Sequence, residues 1–140
     1  MTLTITRSSL SQAAADRLIE AAAAKATAMG VPMVIAVVDE SGVLKAFRRM
    51  DGAPLLSVQI AQDKAYTAAA YAIPTHGWFD FIKTDPPLLH GIVHTPRLVV
   101  FGGGFPVELD GAVVGGIGVS GGHYSQDMEV AEAALAALAG

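Results

Sequence analysis

The 140-residue sequence contains no cysteine. That excludes disulfides, thiolate metal centres such as zinc ribbons and iron–sulfur clusters, and cysteine nucleophiles, and it agrees with a reducing compartment. Positive charge is scarce: nine Lys and Arg stand against thirteen Asp and Glu, for a net charge of −4, and the only adjacent basic pair is Arg48-Arg49. The basic footprint that neutralises a phosphate backbone is missing, so nucleic acid is not an expected partner. No uncharged apolar run approaches the ~18 residues of a membrane span, and Met1 to Arg7 lacks the basic-then-apolar form of a leader. These features predict a cytoplasmic protein that does not engage membranes. Only 16% of residues are charged while 52% are hydrophobic, too little charge to cover the surface of a small monomer. Part of that surface is expected to be buried in a homo-oligomer. The length fits one domain spanning 1–140.

Glycine is what the sequence has in abundance, and its distribution is uneven. Residues 97 to 122 hold nine of the fifteen glycines together with the densest β-branched run. Leu98 to Phe101 and Ala112 to Val119 have the Val and Ile content of strands, and Asp110-Gly111 is the dipeptide of a tight hairpin turn. Three strands with two sharp reversals are expected here. Gly102 to Gly104 supply no side chain and cost backbone entropy, so they mark either forbidden φ or close approach to the backbone by another group. Gly115, Gly116 and Gly118 within a strand pattern are expected to leave a concave patch or bulge. The spacing from Gly116 to Gly121 matches a dinucleotide fingerprint, but only one helical pattern follows it in the sequence, without the second strand and acidic residue that fingerprint needs.

Elsewhere the pattern alternates between helix and hairpin. Ser9 and Gln12 have the form of a capping box, and Leu10, Ala14, Leu18 and Ala22 recur at helical spacing until Gly30 and Pro32. Met33 to Val38 and Val43 to Arg48 flank a turn at Glu40-Ser41-Gly42. A second helix spans about Ser57 to Ala72 and places Ile60, Lys64, Thr67 and Tyr71 on one face. Lys64 there is either a snorkelling side chain whose ammonium reaches water, or an anion contact or base. Thr75 to Ile82 reads as a short aromatic helix, with Trp78, Phe79 and Phe81 as core or subunit contacts. His90 and His94 have the i, i+4 spacing by which two imidazoles reach a metal, although Gly-Ile-Val between them is poor helix material. A last helix capped by Ser125 carries Asp127 and Glu129 in its first turn, where acids ordinarily answer the helix dipole. The order α, β, β, α, α, β, β, β, α predicts an α+β fold with helices packed on one antiparallel sheet.

Four ordered motifs resemble those of the GlcG/HbpS-like family, which includes haem-binding proteins and the C-terminal domain of corrinoid adenosyltransferases. They are Arg49-Met50-Asp51-Gly52-Ala53, then Ile60-Ala61 with Lys64-Ala65 and Thr67-Ala68, then Gly103-Gly104-Phe105-Pro106, and Gly115 to Gly121 followed by Gln126-Asp127. The resemblance implies a profilin-like fold with a five-stranded antiparallel sheet flanked by helices, a homo-oligomeric state, and haem or another small molecule as ligand. Two functions follow. The first is a small-ligand-binding protein, foremost for haem, with a glycine-lined pocket built from Gly103, Gly104, Gly118 and Ser120. Arg48 or Arg49, with Lys64, would then meet the ligand's carboxylates, and His90, His94 or His123 would be the axial ligand. His76 is the weakest such candidate. The alternative is a cofactor-independent enzyme moving protons on, hydrating or eliminating from a small organic acid, with Lys64, His94 and Asp127 as candidate catalytic residues.

Overall fold

In the computed structural model, which describes residues 1–139, the first helix starts from Ser11 rather than Ser9. The Ser11 hydroxyl accepts the Ala14 N–H at 3.1 Å, α1 runs Gln12–Met29, and left-handed Gly30 closes it. The chain then forms β1 (Val34–Asp39) and β2 (Leu44–Arg49), joined by the expected turn, in which Asp39 Oδ1 accepts the Ser41 and Val43 N–H groups. Helix α2 (Ser57–Tyr71) ends at left-handed Ala72. A 3-10 turn at Thr75–Gly77 leads into α3 (Trp78–Ile82), and α4 (Pro86–Gly91), capped by Asp85, leads into a 3-10 turn at Ile92–His94. Strands β3 (Gly104–Leu109) and β4 (Ala112–Ser120) form a hairpin whose turn residues Asp110 and Gly111 both have positive φ, as the mirror-image turn requires. The last helix, α5 (Tyr124–Ala139), begins one residue before Ser125. The Gln126 side chain accepts the His123 N–H at 3.0 Å, so His123 rather than Ser125 opens the helix.

The sheet has four antiparallel strands in the order β2-β1-β4-β3, not five. Leu98 to Phe101 has strand composition but no strand partner. Thr67 on α2 takes the ladder's place: its hydroxyl accepts the Val99 N–H at 3.1 Å and donates to the Arg97 carbonyl at 2.7 Å. Once a side chain satisfies these backbone groups, the segment runs over α2 rather than joining the sheet.

Helices α1 and α5 cover one face of the sheet and α2 covers the other. On the first face Leu18, Ala22, Ile35, Val37, Ile117 and Val119 share one apolar core. On the second, Val34, Ala36 and Val38 meet Ala61, Ala65 and Ala69 of α2. The glycines of β4 explain how closely α2 sits. A Cβ at Gly118 would collide with the Ala61 carbonyl and the Ala65 nitrogen, and one at Gly116 with the Ala65 carbonyl. Helix backbone therefore rests on strand backbone, an approach that only glycine on one side and alanine on the other permits. The expected concave patch on β4 is filled by the helix.

Candidate functional site

Lys64 is fully buried and does not snorkel. Its Nζ donates to Asp127 Oδ2 at 2.9 Å and to the Val119 carbonyl at 2.8 Å, and it lies 5.1 Å from the centre of the Phe101 ring. Asp127 is 2% exposed, and its other oxygen accepts the Gly122 N–H at 3.0 Å. The acid that the helix dipole alone would explain is thus one half of an internal ion pair joining α2, β4 and α5. Burial disfavours charge on both partners: it is the largest influence on Lys64, whose pKa is held below its ordinary value against the attraction of Asp127. Burial likewise raises Asp127 above the usual carboxylate value, against Lys64, the Gly122 N–H and His123. Gly103, at φ +125°, completes the surround. A Cβ there would lie 2.6 Å from Lys64 Nζ, so the pair can form only beside a residue with no side chain.

Asp127 lines a cleft of about 400 Å³ together with Leu56, Ser57, Ile60, Phe101, Ser120 and Gly121 to Tyr124, while Lys64 does not reach it and lies behind Asp127 and Phe101. A second cleft, of about 330 Å³, is lined by His76, Phe79, Asp80, Val100, Phe101, Gly102 and Tyr124. Phe101 and Tyr124 belong to both, so the two clefts adjoin at these half-exposed rings as the two halves of a trough. Ser120 does line it, its hydroxyl 3.0 Å from that of Ser57. His123 lies at its rim, its ring centred 4.1 Å from that of Tyr124. Its Nδ1 takes the Ser125 N–H at 3.2 Å and sits 2.8 Å from the Ser125 hydroxyl. While Nδ1 accepts the Ser125 N–H the ring's own proton sits on Nε2; only the other tautomer, which gives up that bond and donates from Nδ1 to the Ser125 hydroxyl, frees Nε2 as a donor to a metal.

Several residues singled out in the sequence fall elsewhere. Gly104 and Gly118 are buried beneath α2, and a Cβ at Gly104 would meet the Lys64 carbonyl and Thr75, so neither opens a pocket. Arg49 is exposed at the end of edge strand β2, paired with Val34 and outside the trough. His90 lies in the last turn of α4 and His94 in the 3-10 turn after it, so the helix breaks between them and their i, i+4 spacing no longer defines one face. Both are exposed, and neither lines the trough. Among the described residues no three His, Asp or Glu side chains gather into a metal site. His76, ranked last from the sequence, does line the trough. Thr75 brings it there: its buried hydroxyl accepts the Gly104 N–H at 2.9 Å and ties the 3-10 turn to β3.

The chain resembles known proteins over most of its length. Residues 10–136 match the family model described as haem degrading protein HbpS-like. An uncharacterised 15.0 kDa protein of Citrobacter freundii, from the dhaT-dhaS intergenic region, is 43% identical over 88% of this chain and 87% of its own length. The corrinoid adenosyltransferase PduO of Salmonella typhimurium is 37% identical over 87% of this chain, which corresponds to 37% of PduO. Among solved structures, ORFY of Klebsiella pneumoniae superposes with a TM-score of 0.92 at 32% identity, covering 99% of this chain and 97% of ORFY. The PduOC–haem complex superposes with a TM-score of 0.85 at 37% identity, covering 92% of this chain and 94% of PduOC. With the family model spanning most of its length, and these relatives sharing its fold throughout, the chain belongs to the HbpS-like family.

Proposed function

We propose that the protein binds haem in the trough walled by Phe101 and Tyr124, with His123 as the axial ligand. The observation that carries this reading is the trough itself: two apolar clefts adjoining at shared aromatic rings, with an imidazole at the rim whose Nδ1 has a hydroxyl within hydrogen-bond reach. Apolar walls with a few convergent polar groups are the ordinary form of a cofactor site, and a neutral imidazole is the strongest iron donor available there. Its similarity to the PduOC–haem complex supports the same ligand. Bound iron would supply an exchangeable coordination position and a one-electron couple. The chain's own part is to exclude water with Phe101, Phe79 and Tyr124 and to hold His123 through Ser125. Lys64 is engaged by Asp127 and Arg49 lies outside, so the ligand's carboxylates are left to solvent and affinity rests on apolar burial and the axial bond.

Hemin titration tests this. The wild-type protein should give a saturable Soret shift with one equivalent, and His123→Ala should lose about tenfold or more in affinity, the ~1.4 kcal/mol that separates coordination from apolar adsorption by one decade. An unchanged Soret position and affinity in His123→Ala would overturn the assignment. In the same reading the protein is a homo-oligomer. Leu55, Leu56, Phe79 and Phe81 are all more than half exposed, an apolar load that a second subunit would cover.

A further inference from the structure

We propose that Lys64 is a carbonyl-capturing amine, forming a Schiff base with short-chain aliphatic aldehydes that enter the 400 Å³ cleft, with Asp127 as its proton partner and Phe101 as its gate. This goes beyond haem binding and does not depend on it.

Three independent features set the pair apart from an ion pair that only fastens helices together. First, it is not sealed by core: Asp127 lines an open cleft, and the side chain over Lys64 Nζ is Phe101, 44% exposed and on a segment outside the sheet. Second, Phe101 is followed at once by Gly102, Gly103 and Gly104, and Gly103 leaves bare backbone where any other residue would press on Nζ. Displacing one ring would open the amine to the cleft. Third, the proton partner is in place at 2.9 Å, and burial favours the neutral amine that a nucleophile needs. The cleft selects the carbonyl class: Pro54, Leu56, Ile60, Phe101 and Tyr124 are apolar, Ser57 and Ser120 offer hydroxyls, and no arginine lines it to hold a carboxylate.

The step balances without a further reactant. Lys64 passes a proton to Asp127, the freed lone pair attacks the carbonyl carbon, and a second proton moves from the nitrogen to the carbonyl oxygen to give a carbinolamine. Asp127 returns the proton to the carbinolamine hydroxyl, which leaves as water. The nitrogen retains one proton in the iminium, and Asp127 is again a carboxylate. Nothing is oxidised or reduced.

Acetaldehyde with cyanoborohydride on the haem-free wild-type protein at pH 7, followed by peptide mass mapping, tests the assignment. Lys45 and Lys83 are exposed and serve as internal controls. Lys64 should be ethylated severalfold faster than Lys83, because its burial favours the neutral amine that attacks the aldehyde. Phe101→Ala should raise labelling at Lys64 severalfold and leave Lys83 unchanged. Labelling confined to the exposed lysines in both proteins would overturn the proposal, and the hemin titration above would be untouched by that result.

Discussion

The two faces of the sheet are built from different chemistry. Beneath α1 and α5 the core is apolar throughout, from Leu10 and Leu18 to Ile117 and Ala134. The buried polar side chains lie on the other side or reach it: Ser57, Lys64 and Thr67 on α2, Thr75 just after it, Ser120 on the strand α2 covers, and Asp127 reaching across from α5. Buried polar groups add little stability over well-packed apolar ones and are costly when half-satisfied. Two of the six serve the fold, Thr67 and Thr75 satisfying backbone groups of the 97–104 segment, while Ser57, Ser120 and Asp127 line the trough. The α1/α5 face is thus held by apolar packing alone, while the α2 face adds to its own apolar cluster the donors and acceptors that surround a trough.

The largest expected effect breaks the geometry on which both faces depend. Gly118→Val would drive a side chain into the Ala61 carbonyl and the Ala65 nitrogen, neither of which can yield without lifting α2 from the sheet. The variant should fail to fold, read as loss of the cooperative thermal transition and aggregation on gel filtration. A folded, soluble Gly118→Val would show that α2 is not seated as tightly as its glycine contacts require. The matched probe of the other face is Leu18→Ala, expected to cost about 2–5 kcal/mol in urea denaturation while leaving hemin affinity unchanged.

Removing half of the internal ion pair comes next. Lys64→Met and Asp127→Asn should each cost about 3–5 kcal/mol, and the double variant less than either, because it strands no charge. Their pH dependences should have opposite signs. In Lys64→Met the lone Asp127 has a raised folded pKa, so its stability is greatest at low pH and falls as pH rises through that value. In Asp127→Asn the lone Lys64 has a lowered folded pKa. Stability is then lost as pH falls through that value, and recovers as pH approaches the ordinary lysine value of 10.5. Urea denaturation at pH 5 and pH 9 measures both slopes, and parallel slopes would mean that the pair is not the sole charge in its surroundings.

Smaller still is the effect expected of Phe81→Asp. Phe81 is 65% exposed, and its ring meets buried Trp78 edge-on at 6.0 Å. The change should alter subunit stability by only about 0.5 kcal/mol, as surface substitutions do, yet dissociate the homo-oligomer if the aromatic helix lies between subunits. Light scattering with circular dichroism separates the two results. A folded wild-type monomer at micromolar concentration would remove the oligomer altogether.

What the sequence disclosed follows the range of the interactions involved. Both hairpins, the α1 and α2 periodicities and the α+β class were legible because turn residues and apolar periods act over a few positions. Lys64 was legible as a residue out of place on an alanine-rich face, but its burial depends on Asp127, 63 positions later, and periodicity carries no information about that partner. The fifth strand was misread for a related reason. Leu98 to Phe101 has every local mark of a strand, and a hydroxyl 32 residues away, on Thr67, removes it from the ladder. The glycines of β4 were rightly marked as special, but one-dimensional spacing could not tell an open pocket from a helix in close contact.

The histidines give the last and smallest prediction, one of no effect. Spacing favoured His90 and His94, and His76 ranked weakest for its place in the aromatic segment, while the fold does the reverse. The break after Gly91 turns the first two out to solvent, and the Thr75–Gly104 hydrogen bond carries His76 to the trough. His90→Ala and His94→Ala, singly or together, should therefore leave the Soret position, hemin stoichiometry and thermal midpoint as in the wild type, because an exposed imidazole without a buried partner contributes little to either binding or folding. His76→Ala should lower hemin affinity modestly and without a spectral change, since it removes wall rather than axial ligand; its ring packs on Phe105 at 5.5 Å and shapes the end of the trough away from His123. A Soret shift in the His90 or His94 variant, with none in His123→Ala, would move the ligand from the trough to the α4 surface and dissolve the contrast between the two faces of the sheet.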